Sequence, residues 1–409
     1  MKWRRPTGEG EPAGPVMPVV ALGAAVAALA VPAVGVGAAA GLQDDRLSAA
    51  AQSGATADQI DALLDEVRQA RPRFVRVNVF WGTIAPTKPA NARNIRDAAN
   101  DWEQYDRIFT GLRQRGIVPM AVIWDYPEWT SGKRAPTVRG RPATFNPNIP
   151  RKVGDYANFV YAFAKRYSGT TPNPDAPPSR LGRVNLIEAA NEPNIRTFFR
   201  KGNSSNSNAY IAMHKAGYTQ AHRANKGVVF ILAGFGPNSS GNDGNISARA
   251  RLARMAANGS LKLDAWAGHR YPPNGPRSPN PKGIFPRWQD NNRELGGLRE
   301  FLNRRQGARN RANRTKPVFI TEAGWTTAKS DFRSSHVTAT QQATFIRQMF
   351  GLGLVKKPPF AGTVQFNYYD DADWPGGLRT AAGRNKPSFS AFTANSRKGL
   401  TSFTRKWIR

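Results

Sequence analysis

Two glutamates stand at the ends of apolar runs in this chain. Glu192 follows VNLIEAA within AANEPN, and Glu322 follows KPVFIT within VFITEAGW. Each sits where a buried strand would stop. About 130 residues separate them, the room needed by three further strand–helix units of an eightfold β/α barrel. Two carboxylates gathered at one end of a barrel can cleave a glycoside. One protonates the leaving oxygen, and the other attacks the anomeric carbon, which places them about 5–5.5 Å apart if configuration is retained.

The elements that must position this pair are legible as short apolar runs alternating with segments of helical period. Strands are predicted near 41–43, 73–80, 117–124, 183–190, 227–234, 262–268, 316–321 and 361–367. Between them lie stripes such as Ile60, Leu63, Leu64 and Val67, then Trp102, Tyr105, Ile108, Phe109 and Leu112, then Val153, Tyr156, Phe159, Val160, Phe163 and Tyr167. Eight strand–helix pairs imply one closed (β/α)8 TIM barrel over residues 41–409. An open nucleotide-binding sheet would need a glycine-rich first turn, and none is present. The long segments 125–150, 194–208, 270–293 and 368–386 follow strands and therefore build the active face. The basic cluster Arg304, Arg305, Arg309, Arg311, Arg314 and Lys316 precedes a strand and belongs to the opposite face.

With these motifs placed, the chain resembles clan A glycoside hydrolases, the barrel enzymes that include families 5 and 39. Asn191-Glu192-Pro193 falls at the fourth strand, and Thr321-Glu322-Ala323-Gly324-Trp325 at the seventh. The resemblance implies that Glu192 is the acid/base and Glu322 the nucleophile, with Asn191 bonding the sugar 2-hydroxyl. His269 and Tyr271, in AGHRYP, match a His-x-Tyr pattern in which the tyrosine orients the nucleophile and the histidine lines the sugar site. Arg76, in FVRVNVFW, matches a strand-two arginine that keeps the nucleophile ionised. Glu188 on strand four is an alternative partner, because a buried charge needs a mate. The family 5 strand-three histidine is absent, with Trp124-Asp125-Tyr126 in its place, and Asn367-Tyr368-Tyr369 stands where a strand-eight tryptophan is common. Those departures leave the chemistry intact and the substrate open.

Sugar rings stack their C–H faces on aromatic platforms. Trp81, Trp124, Trp129, Trp325, Tyr368, Tyr369 and Trp374 all fall at or just after predicted strand ends, and as a group they indicate carbohydrate. Asp125, Glu128, Asp370, Asp371 and Asp373 are read as decoys or substrate hydrogen-bonding groups.

The bulk properties restrict the remaining choices. The 409 residues contain no cysteine and four scattered histidines, so no disulfide, thiolate site or structural metal is expected, and the chemistry needs no cofactor. Lys2, Arg4 and Arg5 precede an uncharged run from Val16 to Ala40 that ends in three alanines, the pattern of an export signal. Residues 1–40 thus read as a signal peptide, or as a retained N-terminal anchor long enough to span a bilayer, and the mature chain as secreted or held at the cell surface. The formal net charge is +31. It reflects either arginine-rich coding bias or attraction to polyanions such as acidic polysaccharide, wall polymer or anionic lipid. Nucleic acid fits the charge, but no motif accompanies it. The reading is a secreted retaining glycoside hydrolase acting on a β-linked poly- or oligosaccharide, neutral or acidic. A transglycosylase would use the same residues. A non-catalytic cationic surface protein holding polyanionic glycan is the alternative of a different class, and two intact carboxylates argue against it.

Overall fold

Eight parallel strands and their helices form a barrel, described here from a computed structural model. The structure describes residues 38–408 apart from 139–140, 143–144, 203–204, 237–245, 272–297, 331–335 and 352–358, with backbone alone at 137–138, 141–142 and 298–300. The leader through residue 37, most of the loop 270–293 and residues 294–297 lie outside the described residues.

The barrel strands are β1 (Ala39–Gln43), β2 (Phe74–Phe80), β3 (Val118–Trp124), β4 (Leu186–Glu188), β5 (Val229–Ile231), β6 (Trp266–Arg270), β7 (Val318–Ala323) and β8 (Phe360–Gln365). Their order runs β5-β4-β3-β2-β1-β8-β7-β6, all parallel. A bridge between Ile231 and Ala265 and a bond from the Leu232 N–H to the Ala265 carbonyl (2.9 Å) join β5 to β6 and close the ring. All eight predicted strands are present. β1 begins at Ala39, two residues upstream of its predicted start, because Ala39 and Ala40 pair with Gly362 and Thr363 of β8. Ala38, Ala39 and Ala40 are all buried.

Alternation along the strands divides the core in two. Phe74, Met120, Leu186, Ala267, Phe319 and Ala361 fill the lower barrel. Val75, Val77, Val79, Ala121, Ile123 and Ile187 face the helices instead. The Phe74 ring occupies the space a side chain at position 41 or 362 would take: an added Cβ would lie 2.3 Å from it at Gly41 and 2.8 Å at Gly362. Phe403, Trp407 and Ile408, at the helix Ser402–Trp407, cover this lower end. The amphipathic stripes become the helices Ala57–Gln69, Glu103–Gln114 and Val153–Arg166. The first starts with a reciprocal capping box between Thr56 and Gln59, and it buries Ile60, Leu64 and Val67. The upper, C-terminal ends of the strands are left for polar residues.

Candidate active site

Glu322 reaches the barrel mouth because β7 carries a bulge. Against β6, Gly268 pairs with Ile320 but His269 with Glu322; against β8, Thr363 pairs with Ile320 but Gln365 with Ala323. The extra residue lets two successive side chains point inward, which a regular strand forbids. Thr321 Oγ1 donates to Glu188 Oε1 (3.0 Å) while Glu322 turns to the centre. Both Glu322 oxygens are engaged: Oε1 accepts from Arg76 Nη1 at 2.6 Å and Oε2 from the Tyr271 hydroxyl at 2.7 Å. Burial, with Glu192 adding to it, raises the Glu322 carboxyl above its ordinary range despite the opposing pull of His269 and Arg76.

Arg76 is fully buried and bonds both Glu188 and Glu322. Its Nε donates to Glu188 Oε2 (2.8 Å), its Nη1 to Glu322 and to Gln43 Oε1 (both 2.6 Å), and its Nη2 to Asn191 Oδ1 (2.9 Å). Glu188 completes its shell with the Gly234 N–H at 2.7 Å. One guanidinium therefore ties strands one, two, four and seven to the same point.

Glu192 follows β4 on a left-handed backbone, φ 37°. That region is uncommon for a residue with a side chain and marks stored strain. Its Oε1 accepts from His269 Nδ1 at 2.7 Å, and the same nitrogen lies 3.2 Å from Glu322 Oε2. Burial alone would lower the His269 imidazole; the two carboxylates more than offset this and hold it above the usual histidine range. An added Cβ at Gly234 would lie 2.2 Å from the His269 ring, so only glycine there leaves room for it. A Cβ at Gly236 would likewise meet the Glu192 carboxyl at 2.6 Å.

One oxygen each of Glu192 and Glu322, with a nitrogen of His269, lie within 4.8 Å of one another. This nearest approach of single oxygens is compatible with the 5–5.5 Å spacing of a retaining pair. By type the three could ligate a metal, but the Arg76 cation already sits on Glu322 and disfavours a second one.

The structure thus brings together Glu192, Glu322, Asn191, His269, Tyr271 and Arg76. It distributes the aromatic residues otherwise. Trp81 was expected as a platform; it is buried in the helix layer, stacked on Phe159 at 4.9 Å, with Trp129 edge-on at 5.8 Å. Trp325 was expected there too, and it packs beneath the rim against Phe345. Tyr368 and Tyr369 turn outward to the helix Ala57–Gln69, where their hydroxyls bond the Glu66 carbonyl and carboxylate. Trp124 does point into the mouth, its indole N–H on Asn78 Oδ1 at 3.0 Å, but Phe145 and Phe198 cover it. Trp374 packs edge-on at 4.8 Å against Tyr271, the residue that bonds Glu322.

Asp125 supports a loop rather than the pair. Its carboxylate accepts the Asn146 N–H at 2.5 Å, and burial pushes its carboxyl up to about 7. Sequence reasoning missed Gln43, Asn78, Gly234 and Asp45; Asn78 lies two residues from Arg76 in FVRVNVFW, and the other three belong to no motif. Half-buried Asp45 accepts from Gln43 Nε2 at 2.7 Å and from Asn78 Nδ2 and Asn367 Nδ2 at 3.3 Å.

No family model matches the chain, and no curated protein matches it. Solved structures do. A family 39 glycoside hydrolase from Bacteroides cellulosilyticus WH2 is 16% identical, with TM-score 0.56 over 88% of this chain and 64% of its own. A monomeric β-xylosidase from Caulobacter crescentus CB15 is 18% identical, with TM-score 0.61 over 90% and 70%. A family 5 subfamily 18 protein from Streptomyces cattleya, solved with GlcNAc, is 17% identical, with TM-score 0.58 over 89% and 80%. The fold is therefore the (β/α)8 barrel that these glycoside hydrolases share, and the chain spans just under two thirds of the Bacteroides enzyme's length.

Proposed function

We propose that this chain is a retaining glycoside hydrolase that cleaves O-glycosidic bonds of a β-linked glycan. The observation that carries the reading is the close approach of Glu192 and Glu322, with an oxygen of each within 4.8 Å, and with Arg76 and Tyr271 bonding Glu322 of the two. The two carboxylates are chemically unlike in consequence. Glu322, oriented through both oxygens, attacks the anomeric carbon and forms a glycosyl ester. Glu192, as the general acid, gives a proton to the departing oxygen. It then removes a proton from water, which attacks the ester and releases the sugar with its original configuration. Asn191, held by Arg76, lies beside Glu192 to meet the 2-hydroxyl. Glycoside hydrolases with the same fold, one of them holding GlcNAc, support a sugar as substrate.

We place the activity outside the cell, on the strength of the basic start and apolar run that precede the barrel. Because Ala39 and Ala40 belong to β1, processing that leaves the barrel intact cuts upstream of Ala38. N-terminal sequencing of the exported protein tests this.

The decisive experiment replaces the nucleophile. Glu322→Ala should lower kcat by at least about 10⁴-fold, with azide or formate restoring part of it by attacking the vacated face. Wild-type activity in that variant, on any substrate the parent cleaves, overturns the assignment. Glycan binding without cleavage by the parent would favour a non-catalytic surface protein.

A further inference from the structure

The surface of this chain is strongly cationic, whereas its catalytic pocket is lined by acids. Glu192, Glu322 and Glu188 face one arginine there, and Asp45 extends the acidic wall along the rim of β1. Asp45 is joined to the nucleophile by a short relay: Gln43 Nε2 donates to Asp45 at 2.7 Å, while Gln43 Oε1 accepts from the same Arg76 Nη1 that holds Glu322.

The helix Asp45–Ser53 does not need this carboxylate. Its cap is Asp44, which accepts the Arg46 N–H and pairs with the Arg46 guanidinium at 2.7 Å. Asp45 is free to turn the other way, toward Asn78 at the mouth of β2 and Asn367 beyond β8. A carboxylate has about four acceptor positions. Three are used, two of them by long 3.3 Å contacts from amides that substrate hydroxyls could replace. Asn367 Nδ2 also reaches toward exposed Asp371, at 3.5 Å, so the rim continues acidic.

We propose that Asp45 is a specificity-determining residue that binds a hydroxyl pair of an uncharged sugar beside Glu322 and excludes a uronic acid from that position. The inference rests on the glycoside hydrolase reading of the site. Burial, with Glu322 nearby, pushes the Asp45 carboxyl up to about 7, so above that pH Asp45 is ionised and meets a sugar carboxylate as a like charge. A sugar carboxylate would enter the same desolvated surroundings, where Arg76 is already committed through all three of its nitrogens. The positive surface and the acidic pocket then act on different partners, the one on a polyanionic matrix and the other on the neutral sugar cleaved within it.

Matched aryl β-glycosides and their 6-uronates, taken as glucoside with glucuronide and galactoside with galacturonide, test this through the ratio of kcat/KM within each pair. At pH 8, where Asp45 is ionised, the wild type should prefer the neutral member by at least about 100-fold, in line with the cost of setting like charges together. Asp45→Asn should cut that ratio at least about tenfold, and Asp45→Glu, which keeps the charge, should preserve it. A wild-type ratio near one, a preference for the uronate, or an unchanged ratio in folded Asp45→Asn would overturn the proposal. If the parent cleaves no glycoside, the hydrolase reading falls separately. Calorimetric binding of neutral and uronic oligosaccharides to Glu322→Ala and to its Asp45→Asn double variant then decides the inference alone. Tighter neutral binding that Asp45→Asn erases upholds it; equal binding of the two classes overturns it.

Discussion

Gly234 decides whether His269 can stand between the two carboxylates. Gly234→Ala sets a methyl where the imidazole lies, 2.2 Å away, and the ring must move. Displacements of about 1 Å in a catalytic array cost on the order of 100-fold in rate, so kcat should fall about that much while far-ultraviolet circular dichroism stays unchanged. Arg76→Met is a different test. It strips a buried partner from Glu188, and breaking a buried pair from one side costs about 3–5 kcal/mol; urea unfolding should read that loss whether or not substrate is present. At this scale the motifs named Glu192, Glu322, Asn191, His269, Tyr271 and Arg76, because strand-end position and residue type suffice to place them. They could not name Gly234, whose role is an empty volume, or Asp45, which in sequence is one of two acids opening a helix. The aromatic residues were misplaced for a related reason. Direction at a strand end depends on alternation and bulges, and no residue type encodes it.

Strands were legible as elements because both faces of a parallel barrel are buried, so each reads as an apolar run. Their lengths were less so. β4 and β5 hold three residues each where eight were predicted. Val184, inside the predicted fourth strand, bonds back to the Tyr167 carbonyl and belongs to the turn from the preceding helix. β1 errs in the other direction, since a run of alanines resembles the end of a leader as much as a strand. This gives a direct prediction: a chain starting at Gly41 loses Ala39 and Ala40 and their pairing with β8. It should unfold at a clearly lower urea concentration than one starting at Gly37. Equal midpoints would show that β1 needs no more than its last three residues.

Charge and stability belong to the molecule as a whole. The formal +31 should make retention on an acidic polysaccharide fall at least about tenfold between 0.05 and 0.5 M salt, as screening requires. Hydrolysis of a short neutral substrate should change less than about twofold over the same range. Acid should weaken the fold partly through His214. This histidine is buried, its Nε2 on the Lys262 carbonyl at 3.0 Å, and burial pushes its imidazole down to about 4 from an ordinary 6.5. The unfolded chain therefore binds this proton first. The stabilising contribution is complete above pH 6.5 and disappears as pH falls to 4, a loss of about 3 kcal/mol. His214→Gln keeps a donor but cannot titrate, so its stability should decline less across that interval.

The seam between β1 and β8 joins Ala39 to Gly362, residues from opposite ends of the barrel sequence. Until β8 has emerged from the ribosome, β1 lacks one of its two neighbours and Phe74 lacks the Gly362 wall against which it packs. Nascent chains that stop before Phe360 should stay sensitive to protease along their whole length, and those extended past Gln365 should gain protection together at β1 and β8. A protein closed by such a late seam stays threadable through a narrow pore for nearly all of its synthesis.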